Sequence, residues 1–232
     1  MKPVQKEDTG PTLIGIIISA LCMATIGCLL GFAFLSAFPV KAIATAKDLE
    51  GILEERAGLA ARPGQAYYFE APIARSRNWE LQRQALLSGT APSAEFQFED
   101  LNAWASRYFR PASAPVNEEE PNVLLLPGTP KFGTDGTGDI YCVLPINATV
   151  FGYSKDYTVY AVGEFKPESK AFEVKSMYVN GAAFPPVPGI AHMVFNSFLE
   201  AFAQSDEYQT LAEAWESVDA VEVTANSIRL RM

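Results

Sequence analysis

The sequence predicts an α+β fold, in which a single N-terminal transmembrane helix precedes an antiparallel sheet (a meander) that packs on one long helix. Three observations lead to this prediction. An uncharged apolar run of 26 residues extends from Leu13 to Phe38. Apolar and polar residues alternate between short turns over much of 140–179, as in consecutive antiparallel strands. An apolar stretch with helical spacing follows at 190–203 and is suited to cover a sheet.

The composition excludes several classes of protein. Charged residues make up 19% of the 232 residues, and the formal net charge is −9. Such an acidic chain is poorly suited to bind a phosphate backbone, so we expect no nucleic-acid partner. One histidine and three cysteines are too few for a histidine-rich metal site or a disulfide scaffold. We therefore expect no metal and no other cofactor.

The apolar run is long enough to cross a bilayer. As a helix its 26 residues extend roughly 39 Å, whereas the hydrocarbon core of a membrane is about 30 Å thick. Pro11 and Pro39 flank the run without interrupting it. We therefore expect lipid contact through residues 13–38 and divide the chain into four parts. These are a short tail (1–11), a transmembrane helix (12–40), a stalk or amphipathic helix (41–65) and an extramembrane α+β domain (66–232).

A cleaved signal peptide is the main alternative to a permanent anchor. Ala42-Ile43-Ala44 and Ala44-Thr45-Ala46 both have the small-x-small form of a cleavage site. The apolar run, however, is about twice as long as the apolar region of a typical signal peptide, and Lys41 separates it from both sites. Basic residues flank the run almost equally, so the orientation rests on the tendency of long domains to be translocated. We expect an uncleaved single-pass anchor with an extracytoplasmic C-terminal domain.

Small residues form a stripe along the predicted span. Ala20, Ala24, Gly27 and Gly31 lie at i, i+4, i+7 and i+11, and therefore on one face of a helix. The Gly27-x-x-x-Gly31 spacing lets two helices approach closely, which predicts a homodimer through the transmembrane helix. The alternative is the ordinary composition of a membrane span, because small residues are common in such helices.

Shorter elements are expected between the anchor and the main sheet. Within 41–65, Leu49, Ile52 and Leu53 recur at helical spacing, which indicates an amphipathic helix, with a polar stalk as the alternative. Further along the chain, helices are expected over 79–87 and from 99 onward, with a strand at 94–98 between them and a solvated loop at 111–121.

The rest of the chain is expected to form strands and late helices. Strands are predicted at 123–126, 140–151, 157–165, 172–179 and 221–232, the last with a break at 225–227. Residues 152–156 are expected to connect the second and third of these strands. A short helix is predicted around 206–215. Because both faces of 140–151 are apolar, we expect that strand to be central.

The long helix at 190–203 carries more large apolar side chains than a half-buried helix needs. With the sheet they would line an apolar groove, and the candidate lining residues are Met193, Phe195, Phe198 and Phe202. The alternative is an ordinary core stripe.

No catalytic residues can be assigned. The glycine-rich segment 128–139 lacks the Lys-Ser/Thr pair of a phosphate-binding loop, so we interpret it as a flexible connection, with a cation site at Asp135 and Asp139 as the alternative. His192 has no second histidine nearby, and Cys142 lies on the most apolar strand. A hydrolase that uses carboxylates is a third hypothesis without a supporting motif. We therefore expect the protein not to be an enzyme.

The order of elements also resembles a group of known proteins. It includes Phe96-Gln97-Phe98-Glu99-Asp100-Leu101-Asn102 before a helix, and Val179-Asn180-Gly181 before Pro185-Pro186-Val187-Pro188. This layout resembles small, N-terminally anchored bacterial envelope proteins of unknown function, some of them similar to tubular lipid-binding (TULIP-like) domains. The resemblance implies a curved sheet around a long helix and contact with lipid, and it assigns no site residue.

Two functions are therefore expected. The first is that of a single-pass membrane-anchored envelope protein whose domain binds an unidentified protein partner or supports an assembly. The alternative is a lipid-binding domain with an apolar groove between the sheet and helix 190–203.

Overall fold

The computed structural model describes residues 12–43, 46–55, 66–89, 91–109, 123–134, 138–184, 203 and 206–232. Its helices are α1 (Leu13–Ser36), α2 (Ala46–Glu55), α3 (Asn78–Ser88), α4 (Phe98–Tyr108) and α5 (Asp206–Glu216). Its strands are β1 (Lys41–Ile43), β2 (Tyr67–Phe69), β3 (Ser93–Gln97), β4 (Val123–Pro127), β5 (Lys131–Thr134), β6 (Ile140–Val150), β7 (Tyr153–Phe165), β8 (Phe172–Val179), β9 (Ala182–Ala183), β10 (Ala220–Val223) and β11 (Ser227–Arg231). The predicted α+β class, with an N-terminal apolar helix followed by antiparallel sheet, is confirmed.

Helix α1 is an exposed apolar helix. Its N-terminus is capped by Thr12, whose hydroxyl accepts a hydrogen bond from the Gly15 amide at 3.2 Å. Its 24 residues extend about 36 Å, and within the described part of the chain it is the one helix long and apolar enough to cross a membrane. Large side chains such as Leu21 and Leu30 are exposed along it. Its C-terminal turns contact β9 and the residues beside it.

The segment after α1 contains more structure than the sequence predicts. The amphipathic helix expected within 41–65 is present as α2. Strand β1 precedes it and pairs in parallel with β2, where Lys41 lies opposite Tyr67. Three-residue strands have too little periodicity to be recognised from sequence, and their pairing joins two segments separated by α2.

Nine of the eleven described strands form two antiparallel sheets. The larger one has the order β4-β6-β7-β8-β9, with β5 also paired to β6. The smaller one has the order β10-β11-β3, so a strand from the middle of the chain pairs with the final strand, and Phe96 lies opposite Ile228. Helices α3 and α4 flank β3 in sequence, and α3 ends at Gly89, whose φ of +60° is the left-handed conformation expected of a helix cap.

Strand β6 is central, as predicted. One face carries Cys142, Leu144 and Ile146, which are buried with β7 and β8 residues in a core cluster. The other face carries Tyr141 and Val143, which pack with Ala71. The strand is therefore buried on both faces, which explains its nearly continuous apolar sequence.

The predicted connection at 152–156 is wrong, because β7 begins at Tyr153. The turn consists of Phe151 and Gly152, with φ values of +48° and +82°, the backbone signs of the tight turn that suits twisted hairpins. The polar residues that suggested a loop form cross-strand hydrogen bonds instead. Asn147 Nδ2 donates to Asp156 Oδ1 at 2.7 Å, and the Thr149 and Ser154 hydroxyls lie 2.6 Å apart.

The predicted flexible connection at 128–139 is also wrong in part, because it contains β5. The buried side chain of Asn102 holds this strand: its Oδ1 accepts from the Phe132 amide at 2.6 Å and its Nδ2 donates to the Phe132 carbonyl at 2.8 Å. Gly133 lies so close to the ring of Tyr141 that a Cβ there would overlap with the ring. Both contacts are tertiary, so local composition cannot reveal them.

The predicted long helix at 190–203 lies outside the described residues, apart from residue 203. The packing of the sheet on that helix stays a prediction. The shorter late helix is confirmed as α5, and the closing pair of strands is confirmed as β10 and β11.

Asn180 joins the end of α1 to the larger sheet. It is buried, with a φ of +50°, in the turn between β8 and β9. Its Oδ1 accepts from the Thr158 amide at 2.8 Å, and its Nδ2 donates to the Ser36 carbonyl at 2.6 Å. The side chain thus satisfies a carbonyl at the C-terminus of α1. Nearby, Phe32 contacts Phe184 with 5.4 Å between ring centroids.

Replacing Asn180 should weaken this junction in two separable ways. Asn180→Ala removes both side-chain hydrogen bonds and places a β-carbon in the left-handed region, so we expect a loss of about 2–3 kcal/mol of unfolding free energy. Asn180→Gly removes the same bonds without the backbone penalty and should lose about 1 kcal/mol less. Thermal unfolding of the detergent-solubilised chain measures both, and equal losses for the two variants would contradict a contribution from the backbone.

Candidate functional site: an apolar cavity between the two sheets

A cavity of about 460 Å³ lies between the larger and the smaller sheet. Its described lining residues are Leu86, Phe96, Leu101, Trp104, Phe132, Ile140, Cys142, Phe165, Lys170, Phe172, Leu211, Trp215, Ile228 and Leu230. All but Lys170 have side chains without charge. The volume falls in the range of about 300–1,000 Å³ that is typical of small-molecule sites.

The wall on the larger sheet is mainly aromatic. Phe165 and Phe172 lie opposite each other at the ends of β7 and β8, with 5.1 Å between ring centroids. Cys142 contributes a buried thiol, and burial raises its pKa to about 12, so the group is neutral near pH 7. A neutral buried thiol is part of an apolar wall, and it is not a nucleophile.

The opposite wall comes from the smaller sheet and the helices beside it. The ring of Phe96 on β3 stacks on Trp104 of α4 with a centroid distance of 5.3 Å. Ile228 and Leu230 of β11 complete the sheet side of this wall. Because β3 and β11 alternate apolar and polar residues, one face of the small sheet is available to the cavity.

Helix α5 forms a further wall and is held in place by a buried ion pair. Arg83 on α3 donates to both carboxylate oxygens of Glu207 at 2.6 and 2.7 Å. Trp104 Nε1 donates to the same carboxylate at 2.7 Å. Leu211 and Trp215, further along α5, face the cavity. The carboxylate therefore fixes the start of a helix whose later turns enclose the site.

The charge state of Glu207 follows from these contacts. Burial raises the pKa of Glu207, but the hydrogen bonds from Arg83 and Trp104 together outweigh burial and leave that pKa below its ordinary value. The group is therefore ionised near neutral pH.

Lys170 also lines the cavity. It lies in the turn between β7 and β8, and its Nζ donates to the carbonyls of Trp215 and Glu216 at 2.9 and 3.2 Å. The same turn is joined to the smaller sheet, where the Val221 amide donates to the Ser169 carbonyl at 3.1 Å. A cation at the C-terminus of α5 also interacts favourably with the helix dipole.

The apolar groove predicted from the sequence involves four residues of the segment 190–203. Met193, Phe195, Phe198 and Phe202 lie outside the described residues, so the groove stays a prediction. The described lining of the cavity comes from other elements.

The residues predicted for a helix dimer are described and accessible. Ala20, Ala24, Gly27 and Gly31 are all exposed on α1. A Cβ at Gly27 or Gly31 would meet no other described atom within 4 Å. The stripe is therefore open to a second helix, and dimerisation stays a prediction.

Other candidates for chemistry have structural roles or lie outside the described residues. Asp139 accepts a hydrogen bond from Lys175 at 2.8 Å, whereas Asp135 and His192 are not described. In the described ranges, no group of three or more histidine, cysteine, aspartate or glutamate residues could hold a metal ion.

The cavity could not be predicted from the sequence, because its described lining residues come from elements that are far apart in the chain. The sequence does contain one indication of the cavity. Phe165 and Phe172 flank a short turn symmetrically, so they lie opposite each other on one side of a hairpin. Nothing comparable links α5 to β3. Comparison of the chain with family models, curated proteins and solved structures found no match.

Proposed function

We propose that the chain is a single-pass membrane protein whose extramembrane domain binds an apolar, lipid-like ligand and catalyses no reaction. The observation that carries this proposal is the cavity, whose described lining residues are apolar except for one amine. Of the two functions expected from the sequence, the cavity supports lipid binding more specifically than it supports a general role in binding a protein or in an assembly.

The membrane part of the proposal rests on α1. The helix is about 36 Å long for its 24 residues, and its apolar side chains are exposed. Exposed leucine and isoleucine side chains over the whole length of a helix are costly in water and stable in lipid. We assign the domain to the extracytoplasmic side, as part of a cell-envelope protein, because long domains are translocated largely regardless of charge.

The ligand-binding part rests on the energetics of an apolar cavity. Protein interiors are otherwise close-packed, and apolar cavities stay dry and take up apolar molecules. Each methylene transferred from water into such a site contributes about 0.8 kcal/mol. A hydrocarbon chain is therefore the occupant that this lining stabilises best.

Tryptophan fluorescence provides the test. The chain has three tryptophans, none of them in α1, and two of them line the cavity: Trp104 and Trp215. The full chain in lipid nanodiscs is titrated with a dibrominated stearoyl chain, whose bromine atoms quench tryptophan on contact. We expect saturable quenching, and we expect Ile228→Phe, which places a larger side chain in the cavity, to weaken the binding that it reports. Leu81→Phe, at an exposed position on α3, is the control. Quenching that does not saturate, or that Ile228→Phe leaves unchanged, would contradict the proposal.

Self-association through α1 is the second expected property. The open stripe at Gly27 and Gly31 is its basis, because a close helix pair needs backbones without side chains between them. Replacing both glycines by leucine should abolish association in a membrane two-hybrid assay. Ile18→Leu and Leu29→Ile, on the opposite face of the helix, provide controls. Unchanged association of the glycine variant would reject the dimer.

A further inference from the structure

The lining of the cavity has one feature that an ordinary core does not need. Thirteen of its fourteen described residues have uncharged side chains, and the remaining one is Lys170. Lysine can extend its alkyl stem along apolar surface while its ammonium group stays at the edge. A single cation among otherwise uncharged described lining residues gives the site one charged position.

The ammonium group of Lys170 has capacity for another acceptor. It carries three N–H donors, and two of them are directed to the Trp215 and Glu216 carbonyls. No carboxylate of the described residues lies within ion-pair distance of it, in contrast to Lys166 on the same turn, whose Nζ lies 3.5 Å from Glu173. The two carbonyls fix the position of the ammonium group without neutralising its charge.

We propose that the ligand of this cavity is a single-chain carboxylate of the fatty-acid class. The hydrocarbon chain occupies the space between the sheets, and the carboxylate accepts a charge-assisted hydrogen bond from Lys170 Nζ. This inference rests on the proposed function and specifies its ligand.

Charge and size both support this assignment. An anionic head group complements the one cation among the described lining residues, whereas an alcohol or ester leaves it without a counter-charge. The volume of about 460 Å³ is in the lower half of the range of small-molecule sites, which is suited to one chain better than to a two-chain lipid. With a net charge of −9, the chain as a whole repels anions, so recognition depends on this local contact.

The test compares two probes that share one hydrocarbon chain. Dibrominated stearic acid and its methyl ester are titrated separately into the full chain in nanodiscs at alkaline pH, with tryptophan quenching as the readout. We expect the acid to bind about tenfold more tightly than the ester, as one charge-assisted hydrogen bond implies. Lys170→Met should lower the affinity for the acid by about tenfold and leave the affinity for the ester unchanged, and Lys170→Arg should keep the preference.

The outcomes separate this inference from the proposed function. Equal affinities of the acid and the ester in the unmodified chain would overturn the carboxylate assignment and leave lipid binding intact. Absence of saturable quenching by either probe would overturn both. The comparison in the unmodified chain needs no variant, so it remains decisive if Lys170→Met fails to fold. Lys166→Met is the matched control, and an equal loss of acid binding there would reduce the effect to net charge and overturn the role of Lys170.

Discussion

Replacing Glu207 by alanine should lower the unfolding free energy by about 3 kcal/mol. Removal of one partner from a buried ion pair costs about 3–5 kcal/mol, and partial exposure of Arg83 reduces that cost because its guanidinium can reach water. The loss of the acceptor for Trp104 Nε1 adds a buried donor without a partner. Glu207→Gln keeps an oxygen near Trp104 and should lose less. Thermal unfolding of the detergent-solubilised chain measures both variants.

The same carboxylate should make stability depend on pH. Its pKa in the folded protein is below the ordinary value of 4.5, so its contribution is fully present above that value. As pH falls through the lowered folded-state pKa, the carboxylate becomes protonated and the contribution is lost. The stability difference between the unmodified chain and Glu207→Gln should therefore shrink below about pH 4.5. A difference that stays constant over this range would contradict the charged pair.

A surface ion pair provides the matched control. Arg229 Nη2 lies 2.9 Å from Glu95, a distance close to that of the Arg83–Glu207 pair, but both partners are well exposed. Exposed pairs contribute little because water screens them. Arg229→Met should therefore change stability much less than Arg83→Met does, and equal effects would show that burial is not the source of the large loss.

Local patterns in the sequence predicted most of the elements correctly. Apolar length identified α1, a nearly continuous apolar run identified β6, and period-two alternation identified β8 and the final pair of strands. Such patterns depend only on neighbouring residues, so they remain visible in the sequence alone. They failed where a polar residue forms a tertiary or cross-strand contact, as Asn102 does with Phe132 and Asp156 does with Asn147.

The cavity was beyond the reach of these patterns. Its walls depend on the pairing of β3 with β11, which brings Phe96 next to Ile228 from the far end of the chain. They depend also on the contact of α3 with α5 through Arg83 and Glu207. The groove predicted on helix 190–203 lies outside the described residues and stays a prediction, which rests on the large apolar stripe of that segment. An apolar stripe identifies a face that is buried, and it does not identify where packing leaves space.

The second large effect is expected for Phe96→Ala. The ring is 2% exposed, stacks on Trp104 and borders the cavity. Removal of a buried phenylalanine costs about 3–5 kcal/mol, and the cost is highest where neighbours cannot close the gap. At this position the new space joins the existing cavity, so we expect a loss near the upper end of that range. Leu81→Ala, 71% exposed on α3, should change stability by less than about 0.5 kcal/mol.

Ligand binding distinguishes a functional cavity from a packing defect in the Phe96 variant. If the cavity holds a hydrocarbon chain, Phe96→Ala enlarges the site, and a bulkier probe such as a phenyl-substituted fatty acid should stabilise the variant more than the unmodified chain. The gain follows from selective binding to the folded state and rises with probe concentration. The measurement is the shift in unfolding temperature with added probe, compared between the two proteins. The opposite result is a Phe96→Ala variant that loses several kcal/mol of unfolding free energy and shows no rise in unfolding temperature with the larger probe. That result would mean that no ligand binds next to Phe96, because enlarging a binding site should change which ligands fit it.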